Sequence, residues 1–496
     1  MTRLAVCVLL LLVPFSPSLA QDGELDRRSV VKVFATARTP NLFQPWTRNA
    51  PVEGNGSGVI IAGNRIITNA HVVNYASRIL VQPHQSSDRY EAEVVAIARG
   101  IDLAVLELED ESFFDEYPAA TLSERLPRVG STVTALGYPL GGDAMSVTEG
   151  VVSRIEHTGY NGETLGLRIQ VDVAINPGNS GGPVFLDGEV VGLVFSRAAA
   201  GENIGYVIPT EEVKMFLDDA ADGTYDGKPR LFLRLQTAEN RAIRERLGLS
   251  REDTGLIVTD PGLSDELQTW DVITAIGPHD VDNVGMVDVP GEGDLRLHFG
   301  YFVPKLAGES TSAGVTVPLT VIRGGEPVEL DLAVSASRDV MIGTLDGEYP
   351  SYVVYGPMVF TPAYQELLRG AARAALPLAS NDSPLIRHLT SMRRPGELEE
   401  LVIVPAPFFP HRLTKGYELG LVPVVERVNG EPVRSLAHLV ELLESNEDEY
   451  TVFEFGGTAN EILVFETEAL RESTEEVLDD AGIRRQASPD VRGLLR

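Results

Sequence analysis

Apolar and polar residues alternate in short runs from Ser29 to about Pro209, with turn residues between the runs. Examples are "SGVIIAGNRIITNAHVV", "LAVLELED", "STVTALGYP", "LRIQVDVAI" and "PVFLDGEVVGLVFS". Period-two patterning in short segments predicts strands, and a series of such strands predicts an all-β barrel or sandwich. Asp187-Gly188, between two apolar runs, reads as a hairpin turn. The period changes in "PTEEVKMFLDDA", where Thr210 can cap a helix, Glu211 and Glu212 suit its first turn, and Val213, Phe216 and Leu217 share a face. "ADGTYDGKPR" then reads as a linker.

Two mixed regions follow. Between about Pro229 and Ser337, "GLIVTD", "DVITAIG" and "VPLTVIRGGEPVELDLAV" read as strands, and "AENRAIRERLGL" reads as a helix ended by Gly248. From about Tyr349, "TPAYQELLRGAARAAL" predicts a helix with Thr361 as N-cap and Pro362 at its first position. Later come a strand, an Asn429-Gly430 turn, a helix capped by Ser435 and another strand, loosely repeating the pattern around "WDVITAIGPHDVDNVG". The reading is a β domain over 29–220 and two related α+β modules over 229–337 and 349–496.

Composition narrows the partners. A chain of 496 residues exceeds what one core usually supports. With 72 acidic against 41 basic residues, its net charge of -31 repels nucleic-acid phosphates and anionic lipid, so neither is a main partner. Arg3 precedes an apolar run from Leu4 to Phe15 that ends in Ser18-Leu19-Ala20, the pattern of a secretory signal over residues 1–20 cleaved after Ala20. The run is shorter than the ~20 residues of a membrane span. The single cysteine, Cys7, lies inside it, so the exported chain has no thiol for disulfides, nucleophilic catalysis or thiolate metal sites. A periplasm or another extracytoplasmic space is the expected compartment. No metal or organic cofactor motif is present.

In "AINPGNSGGPVF", glycines surround Ser180. They suit a tight turn, and they also free main-chain N–H groups to face a reacting carbonyl beside a nucleophile. A serine needs a base, and the base needs an orienting group. Of the histidines, His71 closes a strand-like run with apolar neighbours, whereas His84 and His157 sit in polar loops. Asp102, between Ile101 and Leu103, is the carboxylate shielded enough to orient it. The order His71, Asp102, Ser180 within one β region is the chymotrypsin order of the triad. Gly178-Asn179-Ser180-Gly181-Gly182 also fits G-x-S-x-G, but that elbow needs a helix after the serine, and Pro183 and a hairpin pattern follow instead.

"TNAHVV", "DLAVLEL", "GYPLGGDAMSVTEGVVSRI", "AINPGNSGGPVF" and "NIGYVIP" resemble the protease domain of the HtrA/Deg serine endopeptidases, most closely the plant-type Deg branch. The resemblance implies a mainly β chain: a chymotrypsin-like double β-barrel, then a PDZ domain and a degenerate PDZ-like domain. It also implies trimers or multiples of trimers, and ATP-independent degradation of unfolded or misfolded polypeptides. Its oxyanion hole would be the N–H groups of Gly178 and Ser180. Its specificity pocket would have Ala174, six residues before the serine, at its base and Val194, Phe195, Ile204 and Tyr206 along its walls. Without a carboxylate at Ala174, cleavage after small or medium aliphatic residues is expected. The peptide-carboxylate loop falls on Leu231, Phe232 and Leu233, where Phe232 replaces the usual glycine, so carboxylate capture and a docking role both stay open. Phe43 and Trp46 are candidates for trimer packing or for burial in their own barrel. A non-catalytic chaperone or scaffold is the competing function.

Overall fold

The computed structural model describes residues 27–142, 144–160, 164–197, 204–262, 264–308, 315–337, 339–370, 378, 382–389, 391–393, 397–458 and 462–495. The leader and Cys7 lie outside them. Six strands close the first barrel: β1 (Val30–Ala37), β2 (Val52–Ile61), β3 (Arg65–Thr68), β4 (Ala76–Pro83), β5 (Tyr90–Ala98) and β6 (Leu103–Leu108). Another six close the second: β7 (Thr132–Gly137), β8 (Ser146–Gly159), β9 (Leu165–Val171), β10 (Pro183–Leu186), β11 (Glu189–Arg197) and β12 (Gly205–Pro209). Closure leaves no free edge, which suits short alternating strands.

Asp187 and Gly188 both have positive φ, 51° and 84°, and join β10 to β11 as expected. A cluster of Val30, Val59, Ile67, Ile101, Leu103, Leu136, Phe185 and Leu193 fills the space where the barrels meet. Burying such side chains is worth about 1.5–3 kcal/mol each before entropy is counted, so the seam between barrels is a rigid base for a site.

The middle module is a sheet in the order Arg234–Thr237, Leu256–Asp260, Val272–Ile276, Thr316–Arg323, Glu326–Ala333. Its Ile273, Val287, Leu319 and Val321 share one core with Val152, Ile169 and Val207 of the second barrel. The predicted linker is therefore fastened down. Tyr225 packs edge-on against Phe216 at 5.4 Å, Asp219 accepts the N–H groups of Asp226 and Gly227, and Lys228 pairs with buried Glu212 at 2.6 Å. His157, expected in a loop, instead lies on the long strand β8, stacked against His298 of this module with ring centroids 6.2 Å apart. Thr210 opens the helix Thr210–Asp219 without capping it, because its hydroxyl donates to the Ser123 carbonyl.

Barrels and middle module form one unit. The second unit gathers Thr36–Glu53, Asn74–Ser77 and Ser335–Arg496. In it Thr361 and Pro362 end the strand Met358–Pro362, so the helix begins only at Gln365. The Thr361 hydroxyl donates to the Ser351 carbonyl, a tertiary bond that replaces the expected cap. The Asn429-Gly430 turn and the Ser435 cap form as expected. The strand Val425–Val428 pairs with a two-residue strand after the turn and with the strand that follows the helix, as Val272–Ile276 does in the middle module. Trp46 is partly buried and packs on Tyr352 and Phe409, while Phe43 is 52% exposed. No helix among the described residues is long and apolar enough to cross a membrane.

Candidate active site

Strand β3 runs out at Thr68, and one helical turn, Ala70–Val73, lifts His71 to the edge of the barrel seam. Asp102 stands just ahead of β6 in a left-handed conformation, φ 59°, which Asp tolerates better than most residues. That turn of backbone lets one carboxylate meet His71 twice. Oδ1 accepts the His71 main-chain N–H at 2.8 Å, and Oδ2 lies 2.6 Å from the ring Nδ1. A carboxylate so placed accepts the Nδ1 proton, leaving Nε2 as the basic nitrogen. The Asp102 side chain is 3% exposed and the His71 side chain 50%, so the acid is shielded while the imidazole faces solvent. Asn69 ties this corner further, donating to the Asp102 carbonyl at 3.0 Å.

Ser180 arrives from the other barrel. A methyl group on Gly56 would lie 2.6 Å from the side chain of Val72, next to His71, and 3.2 Å from the Ser180 carbonyl, so one strand backbone brings the histidine turn and the serine loop together. The Ser57 N–H donates to that carbonyl at 2.8 Å. Ser57, fully buried, also donates its hydroxyl to the Gly178 carbonyl and accepts the Tyr138 N–H, both at 2.8 Å. Sequence reasoning passed over Ser57, although a serine inside the apolar run "SGVII" was a signal that its hydroxyl is occupied. Among the described residues the Ser180 hydroxyl has no hydrogen-bond partner. Such contacts commonly tighten only when substrate binds.

The loop leaves two donors over. The Pro177 carbonyl accepts from Leu140 N–H at 2.8 Å, and the Asn179 carbonyl from Gly182 N–H at 2.9 Å. Because the trans peptide points its N–H opposite its carbonyl, the N–H groups of Gly178 and Ser180 turn the other way. Neither has an acceptor among the described residues. Gly178 has φ +99°, and a Cβ there would sit 2.4 Å from the Tyr138 carbonyl, so only glycine fits. After Ser180 comes strand β10 and not a helix, which removes the elbow alternative.

The expected pocket residues separate. Ala174 is exposed. Val194 is fully buried in the second barrel's core and serves the loop through its backbone, accepting from Gly181 at 2.9 Å and donating to Gly182 at 2.8 Å. Ile204 is half-buried beside Gly205. Phe195 and Tyr206 meet around a residue the sequence reading did not single out, Arg168 of β9. Leu231, Phe232 and Leu233 form a loop ahead of the strand Arg234–Thr237. Leu231 and Leu233 rest on the module's core, and Arg230 stacks over the Phe232 ring at 4.6 Å. His84 bonds the Tyr138 hydroxyl at 3.1 Å.

Residues 56–193 match the trypsin-like peptidase domain and residues 343–490 the PDZ domain. Protease Do-like 2, chloroplastic, of Arabidopsis thaliana is 35% identical over 93% of this chain and 75% of its own length. Protease Do-like 4, mitochondrial, of the same plant is 34% identical over 84% of this chain and 77% of its own. Among solved structures, the HtrA-type protease AlgW with decapeptide matches with a TM-score of 0.48 at 24% identity, covering 64% of this chain and 99% of that one. On its identity to the plant relatives over most of both lengths, the chain belongs to the Do-like (Deg/HtrA) family of serine endopeptidases.

Proposed function

We propose that His71, Asp102 and Ser180 act as the catalytic triad of an endopeptidase for unfolded polypeptides. His71 Nε2 takes the Ser180 proton as the hydroxyl attacks a peptide carbonyl, then gives it to the departing amine. Asp102 holds the tautomer and stabilises the imidazolium. The N–H groups of Gly178 and Ser180 receive the oxyanion, a contribution worth ~3–4 kcal/mol per donor. The observation that carries this reading is the double contact of one shielded carboxylate with the main chain and ring of His71.

Ala174 carries no charge to attract Lys or Arg, which supports cleavage after small or medium aliphatic residues. The leader pattern supports export, and the names of the two plant relatives carry organellar locations of their own. Hydrolysis without ATP and trimer assembly follow from the family resemblance, and for the middle module, with Phe232 where the family carries a glycine, the resemblance leaves two roles, capture of a peptide carboxylate and docking. The test is casein digestion by the full chain beside its Ser180→Ala variant, with cleavage sites mapped by mass spectrometry. Digestion that disappears in the variant, with cuts after Val, Ala or Ile, is expected. Equal inertness of both proteins with heat-unfolded substrate favours the chaperone or scaffold function, and cuts after Arg as frequent as after Val overturn the specificity.

A further inference from the structure

Arg168 carries a charge with no ion-pair partner among the described residues. Its guanidinium lies over three rings, 4.8 Å from Tyr160, 5.4 Å from Phe195 and 4.8 Å from Tyr206. One Nη2 proton goes to the Gly159 carbonyl, while Nε is buried with no acceptor. Among the described residues no carboxylate pairs with it. Buried Glu212, on the neighbouring helix, is already taken by Lys228 at 2.6 Å and by the Leu167 N–H at 2.7 Å. Ring faces attract a cation but do not satisfy its in-plane N–H groups, so the site keeps donors whose best partner is an anionic acceptor.

The cage stands beside the catalytic elements. Phe195 follows Val194, whose carbonyl holds the amide of Gly181, the residue after Ser180. Its ring belongs to the same cluster as Ile101 and Leu103, which flank Asp102. Phe195 and Tyr206 are also two of the residues that the family resemblance places along the specificity pocket, and the inference rests on that reading. We propose that Arg168 is a specificity-determining residue that favours an acidic side chain, and disfavours a basic one, where the substrate passes over Phe195 and Tyr206. A chain of net charge -31 repels acidic polypeptides at a distance, so a cation without an ion-pair partner among the described residues is the local means of accepting one.

The test uses two sets of fluorescent octapeptides, one with Glu, Gln, Lys or Val at P1 and one with Val at P1 and Glu, Gln or Lys placed in turn at P2, P3 and P4. Affinity is measured by anisotropy on the full chain carrying Ser180→Ala at about 0.15 M salt. At one position the Glu peptide binds roughly tenfold tighter than its Gln twin, and the Lys peptide weaker than both. In the Arg168→Met background the Glu-to-Gln ratio falls to about one, and Arg168→Lys retains part of it, with thermal midpoints recorded for each. Equal affinity for Glu and Gln at every position, or a Glu preference that survives Arg168→Met, overturns the proposal. The Glu-to-Gln comparison with Arg168 intact decides it even where a variant fails to fold. Turnover by the Ser180 protein is scored separately, so a failure of the protease reading is distinguishable from a failure at Arg168.

Discussion

Two buried polar clusters, one beside Ser180 and one around Asn446, handle hydrogen bonding in opposite ways. Asn446 donates to Thr451 at 2.8 Å and to Thr467 at 3.2 Å, and its Oδ1 accepts from Asp448 N–H and from Asn429. The two threonine hydroxyls bond each other at 3.0 Å. Nothing in that cluster is left to offer a ligand. Near the proposed triad, by contrast, Asn69 Oδ1, Asn179 Oδ1 and Arg168 Nε are buried without partners among the described residues, as are Arg38 Nε and Asn283 Oδ1 elsewhere, and the Gly178 and Ser180 amides have no main-chain acceptor among those residues. Unmet polar groups are costly in a core, and the three beside Ser180 are what the proposed substrate site would use. A saturated network marks scaffold.

The largest effect that can break this contrast is at Asp102. Asp102→Asn keeps the shape but reverses the proton on Nδ1, and a fall in kcat of about 10⁴ is expected in a peptide assay. A fall below tenfold would remove Asp102 from the chemistry. Gly178→Ala comes next. Its methyl group cannot fit beside the Tyr138 carbonyl at 2.4 Å, so the loop must shift and the amide turn away. Loss of kcat/KM by about 10²–10³, mostly in kcat, is expected. Asn446→Ala should show the opposite signature, a loss of about 2–3 kcal/mol in stability by denaturant melts with kcat per folded molecule unchanged.

The smallest effect concerns the seam of barrel and middle module. Burial pushes the His157 imidazole down from 6.5 to about 3, with Lys228 and His298 acting in the same direction, and burial lowers His298 too. Above pH 6.5 both folded and unfolded chains hold His157 neutral, and the stability is fully present. As pH falls from 6.5 toward 3 the unfolded chain takes a proton that the folded chain refuses, and stability is lost. At pH 5 the loss from His157 is about 2 kcal/mol. Thermal midpoints between pH 7.5 and 5 should fall, and fall less in His157→Phe.

The three residues of the proposed triad stand out in the sequence because each has a distinctive neighbourhood: His71 after an apolar run, Asp102 between Ile101 and Leu103, Ser180 among glycines. The Asn429-Gly430 and Asp187-Gly188 turns were legible because positive φ at two successive residues restricts the residue types. What escaped depended on contacts distant in the chain. Thr210 and Thr361 look like helix caps until their hydroxyls meet remote carbonyls. His157 looks solvated until another module covers it, and "ADGTYDGKPR" looks free until Tyr225 and Lys228 find Phe216 and Glu212. Arg168 alternates correctly on its strand, and only the fold surrounds it with aromatic rings.

The most direct measurement is covalent labelling with a fluorophosphonate, followed by peptide mapping of the full chain and of His71→Ala. The account predicts a single adduct, on Ser180, formed at least a thousandfold more slowly without the imidazole. An adduct on another residue, or labelling of Ser180 that is indifferent to His71, would contradict it.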